Sequence, residues 1–137
     1  DVRESPEVRA FVEAQNALTN GFLQQLPMRE TIQKRLRELW SYERYSTPFR
    51  AGKTYYYYKN DGLQNQAVLY ATSSFGESAR VVLDPNTWNA EGTSALKSIE
   101  FSRDGRYMAY ARAEAGSDWV IWQVRDMESG KDLPDTI

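Results

Sequence analysis

The sequence contains no cysteine and no histidine among its 137 residues. Without cysteine, the chain has no disulfide bond, no thiolate metal site and no cysteine nucleophile. Without histidine, its residues cannot complete a Ser-His-Asp triad or a His-ligated zinc site. These common routes to nucleophilic and zinc-dependent catalysis are therefore closed to the chain on its own.

The sequence also lacks a basic excess and a long apolar run. Its 17 Lys and Arg residues are outnumbered by 19 Asp and Glu residues, which gives a formal net charge of −2. This balance supplies no long-range attraction for nucleic acid or for an anionic membrane. No apolar run reaches the length of a membrane span or of a signal-peptide core, and the initial Asp1, in place of Met, leaves a missing N-terminal segment open. Cytoplasmic and periplasmic localisation both stay open.

The residues that are present predict a globular chain that is mainly β. Hydrophobic residues make up 41% of the sequence and charged residues 26%, a balance that excludes a disordered chain. Aromatic residues make up 13%, with nine Tyr and four Trp, and these residue types favour strands.

The first 41 residues predict an N-terminal helical segment. Ser5-Pro6-Glu7 is a helix start, because Ser caps, Pro is tolerated in the first turn and Glu complements the positive helix end. Gly21 leaves a bend or a break open in this helix, Pro27 ends it, and a second, shorter helix follows. The predicted apolar stripes consist of Val8, Phe11, Val12, Ala14, Leu18, Phe22 and Leu26 in the first helix and Ile32, Leu36, Leu39 and Trp40 in the second. We interpret the basic residues of the second helix as a solvated face rather than an anion site.

From Tyr42 the apolar period changes from helical to strand-like, and two units of three predicted strands follow. A polar stretch, 87–95, links the two units. The predicted strands are Thr54–Lys59, Ala67–Thr72 and Arg80–Leu83 in residues 42–96, and segments near 97–101, 106–112 and 119–126 in residues 97–137.

The stretch 99–131 shows the pattern of one β-propeller blade. Three alternating apolar runs are joined by tight turns at 103–105 and 115–117, and a further turn lies at 129–130. The two units match strand for strand, with roughly 45–50 residues each, a length typical of blade repeats. We therefore predict blade 1 at 42–96 and blade 2 at 97–137. Small closed propellers have about four blades or more, so the fold class is mainly β with N-terminal helices and about two blades of a larger propeller. An open sandwich is the structural alternative.

The residue clusters that could carry chemistry have simpler structural interpretations. The run Tyr55–Tyr58 predicts packing on alternate faces of a strand rather than stacking of a base or a sugar. We expect at least one of Trp119 and Trp122 in the core between blades. Asp61, Asp84, Asp104, Asp118 and Asp126 are interpreted mainly as turn residues rather than as catalytic pairs. No EF-hand, phosphate-binding loop or nucleophile elbow is present. The sequence assigns no catalytic, cofactor-binding or metal-binding residue.

Several motifs in order along the chain resemble the N-terminal part of the prolyl oligopeptidase family of serine peptidases. The Phe-Ser-x-Asp-Gly element alone is common in propellers, but its combination with the first-helix motif and with Gly-Leu-Gln-Asn-Gln is specific. The matching stretches are 10–16, 62–66, 68–70, 82–86, 101–107 with Tyr110, 116–119 and 131–135.

The resemblance implies that the chain is the helical segment and the first blades of a seven-bladed propeller inserted into an α/β-hydrolase peptidase domain. The family's Ser, Asp and His come from the other half of the protein, so none is carried over and the chain alone is expected to be inactive. The intact protein would cleave short peptides after proline without a cofactor, and the propeller would restrict entry to small peptides. The implied partners are the rest of the same protein and short proline-containing peptides, with no nucleic acid and no membrane.

Two alternatives stay open. In one, copies of this chain assemble into a complete ring that serves as a non-catalytic binding scaffold. In the other, the tyrosines bind nucleic acid, which predicts salt-dependent binding to oligonucleotides.

Overall fold

The computed structural model describes residues 5–74 and 76–137, and the chain divides into two units, Asp1–Trp40 and Ser41–Ile137. The first unit contains two helices and the second contains two antiparallel sheets.

The helical unit follows the start and stop signals of the sequence. Helix α1 spans Pro6–Gln24, with the Ser5 side chain accepting a hydrogen bond from the Val8 N–H at 3.2 Å. It continues without interruption through Gly21, so the break that the sequence left open there does not occur. Helix α2 spans Arg29–Trp40, after the turn that contains Pro27. The basic face of α2 is exposed, as predicted. Neither helix has a buried residue, so both apolar stripes lie open.

Sheet 1 is formed by the first five strands of the second unit, all antiparallel. Strand β3 is its centre, because it pairs with β4 on one side and with both β1 and β2 on the other. Strand β5 pairs with β4 and forms the opposite edge. The strands are β1 Arg44–Tyr45, β2 Phe49–Ala51, β3 Thr54–Asn60, β4 Val68–Thr72 and β5 Arg80–Leu83.

Sheet 2 is a four-stranded antiparallel meander in the order β6-β7-β8-β9. The strands are β6 Ala95–Phe101, β7 Tyr107–Ala113, β8 Val120–Asp126 and β9 Asp132–Thr136. A connector with a short 3₁₀ helix, Pro85–Thr87, joins the two sheets.

The six predicted strands are all present, with ends shifted by one or two residues. Strand β6 begins at Ala95 rather than near residue 97, because Ala95 and Leu96 already pair with β7 ahead of an irregularity in register. The short strands β1 and β2 were not predicted, and strand β9 was missed as well. It contains Pro134 and two Asp residues and has no buried residue, so it lacks the apolar alternation of a strand, and an edge position tolerates its proline.

The core lies between the two sheets. Leu69 and Met108 have no exposed surface, and the Tyr56 ring of sheet 1 packs against the Phe101 ring of sheet 2 with a centroid distance of 4.5 Å. The buried members of the cluster are Tyr56, Leu69, Ala71, Val82, Leu83, Met108, Tyr110 and Met127.

The turns β2–β3 and β6–β7 touch backbone to backbone. A Cβ at Gly52 would lie 2.7 Å from the carbonyl oxygen of Asp104, and a Cβ at Gly105 would lie 3.0 Å from the Cα of Gly52. Both glycines have positive φ, +59° and +76°, where side chains are disfavoured. The sheets therefore approach each other at a point that only glycine fits.

Candidate functional site: the interface between the two sheets

The four consecutive tyrosines pack on both faces of β3, as the alternation of strand side chains predicts. Tyr56 is 2% exposed and stacks on Phe49 with a centroid distance of 5.7 Å. On the other face, Tyr57 stacks on Tyr70 at 5.6 Å and lies 6.0 Å from Tyr45. Their rings are engaged with other side chains of the protein, which confirms the prediction of packing.

Neither Trp119 nor Trp122 lies in the core between sheets 1 and 2, and a tryptophan between sheet 2 and a further blade stays a prediction. Trp119 lies just before β8 and is 88% exposed, and the half-buried Trp122 pairs with Ala111 on the face of sheet 2 that turns away from sheet 1. The tryptophan next to the core is Trp88 in the connector, which stacks on Tyr110 at 5.9 Å. Its position in a polar linker gave no periodic signal in the sequence.

Three of the predicted turn aspartates cap backbone N–H groups, whereas next to Asp118 the Trp119 N–H donates to the Ser117 hydroxyl. Asp61 accepts hydrogen bonds from two N–H groups at 2.9 and 3.0 Å, and Asp84 and Asp104 each accept one at 3.0 Å. Asp126 accepts from the N–H groups of residues 128 and 129, although no adjacent Gly, Pro or Ser marks it as a turn residue. The hydrogen bonds from the Ser102 hydroxyl and the Arg106 N–H hold the pKa of Asp104 below its ordinary value. The bonds from residues 129 and 128 lower the pKa of Asp126 in the same way.

The Gly62–Gln66 motif forms a braced loop that is tied to the second motif, Val82–Asn86. Asn60 Oδ1 accepts from the Gly62 N–H at 2.8 Å, which closes the loop. The Gln66 N–H donates to Asn86 Oδ1 at 2.9 Å, and Asn86 Nδ2 donates to the Gln66 carbonyl at 3.0 Å. Two motifs that are separated in sequence thus form one reciprocal amide pair at the same end of sheet 1.

The connector is anchored to sheet 2 through Ser94, which is 1% exposed. The Ser94 hydroxyl donates to Glu114 Oε2 at 2.6 Å, and Asn89 Nδ2 donates to the Ser94 oxygen at 2.7 Å. The bond from Ser94 is the main reason why the pKa of Glu114 lies below its ordinary value. The polar residues of the link therefore serve to fix its course.

A charged cluster occupies the edge of the interface. Arg125 of β8 donates to both carboxylate oxygens of Asp132 in β9, at 2.7 and 2.9 Å, and also donates to the Val82 carbonyl of sheet 1. Hydrogen bonding and the charge of Arg125 hold the pKa of Asp132 below its ordinary value, although partial burial opposes the shift. Desolvation raises the pKa of the neighbouring Tyr110 phenol. Sequence reasoning missed this cluster because its members are distant in sequence.

These groups form a packed interface with satisfied hydrogen bonds. Among residues 5–74 and 76–137, no three Asp or Glu side chains are close enough together to hold a metal ion. Within the same residues, no helix combines the length and the apolar character needed to cross a membrane.

Comparison with known proteins identifies the family to which this architecture belongs. Residues 2–137 match the model of the prolyl oligopeptidase N-terminal β-propeller domain. The prolyl endopeptidase of Elizabethkingia meningoseptica is 40% identical over 131 residues, which cover 96% of this chain and 18% of that protein.

Solved structures give the same result. A structure from a study of two prolyl endopeptidases superposes with a TM-score of 0.88 at 32% identity, over 98% of this chain and 20% of that one. Prolyl oligopeptidase B of Galerina marginata, bound to a 35mer substrate, gives 0.82 at 26% identity, over 98% of this chain and 22% of that one. The chain spans about a fifth of the length of these relatives. It belongs to the prolyl oligopeptidase family and forms part of the family's N-terminal β-propeller domain.

Proposed function

We propose that this chain is the N-terminal and propeller portion of a serine peptidase that cleaves short peptides after proline. The observation that carries the proposal is the 40% identity to a prolyl endopeptidase over 96% of the chain, a span that is only 18% of that enzyme. In this proposal the two helices are the segment 1–41, sheet 1 belongs to blade 1 at 42–96 and sheet 2 belongs to blade 2 at 97–137, except that its first strand begins two residues earlier, at Ala95. The catalytic Ser, Asp and His come from the peptidase domain, and none of them belongs to this chain.

The unburied apolar surfaces support a role as part of a larger protein. Beside and within β8 of sheet 2, Trp119 is 88% exposed and Ile121 is 51% exposed, which suits contact with a further blade. Helix α1 exposes 66% of Phe22 and α2 exposes 58% of Trp40, and these stripes suit the surface of a peptidase domain. An apolar groove of about 610 Å³ lies along the turn before α2 and the first half of α2, and is lined by Leu26, Pro27, Met28, Arg29, Ile32, Gln33 and Leu36.

The proposed role of the propeller is to select substrates by size. A ring of blades over the active site leaves a narrow path that a flexible peptide passes and a folded protein does not. The two sheets contribute rigid walls to this ring, because their shared core and glycine contact fix them against each other. The chain binds no cofactor in this mechanism.

A chimera tests the proposal directly. The matching 131-residue segment of the Elizabethkingia meningoseptica enzyme is replaced by the corresponding residues of this chain. We expect the chimera to hydrolyse a short proline-containing reporter peptide and to leave a folded proline-containing protein intact. A correctly folded chimera that cleaves neither substrate, or that cleaves both equally, contradicts the proposal.

The isolated 137-residue chain provides the control. It is expected to hydrolyse no reporter peptide, because it has no histidine for the triad. Turnover by the purified chain would contradict the assignment of catalysis to another domain. A uniform ring of copies in gel filtration, with no longer protein of this sequence in cells, would favour the binding scaffold instead.

A further inference from the structure

Arg125 is the only side chain of the cluster at the edge of the interface that hydrogen-bonds to both sheets among the described residues. Its guanidinium forms a two-point ion pair with Asp132 and lies over the Tyr110 ring, 5.6 Å from the centroid. The Tyr110 hydroxyl in turn lies 3.1 Å from Asp132 Oδ2 and 3.0 Å from Gln123 Oε1. These partners, all in sheet 2, fix the orientation of the guanidinium.

The acceptor in sheet 1 is a β-bulge. Strand β5 pairs with β4 through Leu83↔Leu69 and Val81↔Tyr70, so Val82 is the extra residue without a partner across the ladder. A bulge interrupts the ladder locally and redirects backbone groups. The Val82 carbonyl accepts a hydrogen bond from Arg125 Nη1, from a strand that lies 43 residues away in sequence.

The burial of this cluster argues for a role in geometry more than in stability. The Arg125 side chain is 18% exposed and the Asp132 side chain 32%. Taking such a pair out of water costs about as much free energy as the pairing returns, whereas its directional bonds restrict the arrangements of the two sheets. A planar guanidinium with five N–H donors can bond both oxygens of a carboxylate and a carbonyl in one fixed plane, whereas a lysine ammonium has three donors on a single atom and no such fixed geometry.

The sheets touch at a second, independent point. The turns of Gly52 and Gly105 meet between the strand pairs β2–β3 and β6–β7, whereas Arg125 and Val82 lie on β8 and β5, towards the opposite edges of the two sheets. Beside Arg125, Arg80 of β5 also donates to the Met127 carbonyl, at 3.5 Å. Together with the core between the sheets, these contacts at separate strands restrict the angle between the two sheets.

We propose that Arg125, oriented by Asp132 and Tyr110, is a clasp that fixes the angle between the two sheets through the bulged carbonyl of Val82. The inference rests on the proposed function where it treats the sheets as adjacent blades of a gate. There the clasp makes the two blades move as one body, so peptides enter without separation of these two blades.

Distance measurements between spin labels test the clasp in the 137-residue chain. Because the chain has no cysteine, the substitutions Ser78→Cys and Glu100→Cys create the only two labelling sites. Ser78 is exposed just before β5 of sheet 1, and Glu100 is exposed in β6 of sheet 2. We expect a narrow distance distribution in this labelled parent and a distribution at least twice as wide after Arg125→Met. Arg37→Met is the matched control, since Arg37 is exposed in α2, outside both sheets, and it should leave the width unchanged.

Asp132→Asn provides a second variant that keeps the arginine and removes its charged partner. It should widen the distribution to an intermediate degree, and Arg125→Lys should do the same. If circular dichroism shows that Arg125→Met does not fold, the distance distribution of the folded Asp132→Asn variant tests the clasp instead. An unchanged narrow distribution in the folded variants overturns the clasp.

The chimera separates this inference from the proposed function. When the chimera is active, Arg125→Met should increase its cleavage of long peptides relative to short ones, and Arg37→Met should not. A correctly folded but inactive chimera contradicts the proposed peptidase role. The clasp is then tested by the spin-label distance distributions alone. A cleavage ratio that does not change in an active Arg125→Met chimera overturns the role of the clasp in the gate.

Discussion

The helical unit and the sheet unit use the same apolar residue types in opposite ways. Leu18 in α1 is 70% exposed, whereas Leu69 in β4 has no exposed surface. The helices form from local signals and leave their stripes open, while the strands form a shared core between two sheets. The difference shows that a periodic apolar pattern predicts an element and its face, but does not show what covers that face.

The largest expected effect comes from one substitution made in both units. Leu69→Ala should lower the free energy of unfolding by about 2–5 kcal/mol, because it opens a cavity in the core. Leu18→Ala makes the same chemical change on an exposed helix face and should stay within about 0.5 kcal/mol. Urea unfolding monitored by tryptophan fluorescence measures both. Equal losses would contradict the contrast between the two units.

A second pair compares glycines. Gly105→Ala should lower the free energy of unfolding by more than about 1 kcal/mol, because φ is +76° and the new Cβ would meet Gly52. Gly21→Ala should instead raise the helix content and add up to about 1 kcal/mol, because Gly21 is helical and a Cβ there meets nothing within 4 Å. Thermal melts followed by circular dichroism measure both signs. Stabilisation by Gly105→Ala would contradict the close approach of the two turns.

The smallest expected effect depends on pH and concerns the sheet unit alone. The folded-state pKa of Asp132 lies below its ordinary value of 3.8, mainly because Arg125 donates hydrogen bonds to the carboxylate. The stabilisation is therefore fully present above about pH 4 and is lost as the pH falls through the lowered pKa. Asp132→Asn should be less stable than the parent at neutral pH, and the difference should shrink in acid. A difference that grows in acid would contradict the sign of the shift.

The sequence predicted the parts of the fold that depend on neighbouring residues. Ser5 and Pro6 marked the start of α1, and the aspartates of three turns were assigned to backbone capping. The resemblance to the prolyl oligopeptidase family, based on motifs such as 62–66, was confirmed by the family match over residues 2–137. The assignment of blade boundaries stays a prediction.

The contacts between the sheets could not be predicted in the same way. Trp88 lies in a polar linker yet packs beside the core, while Trp119, with its strand-like context, is exposed. Strand β9 has no apolar alternation and forms because its backbone pairs with β8. In both cases a distant partner decides the outcome, and no local pattern reports that partner.

The sequence by itself determined the helices, the turns, the alternation of the tyrosines and the absence of a histidine-based site. These follow from capping, positive φ and side-chain chemistry, which act within a few residues. Only the tertiary structure decided that Gly52 meets Gly105 and that Arg125 reaches the bulge at Val82. The physical reason is that register and sheet packing are set by contacts between residues far apart in the chain. Neither residue of such a contact carries a local sequence signal that identifies the other.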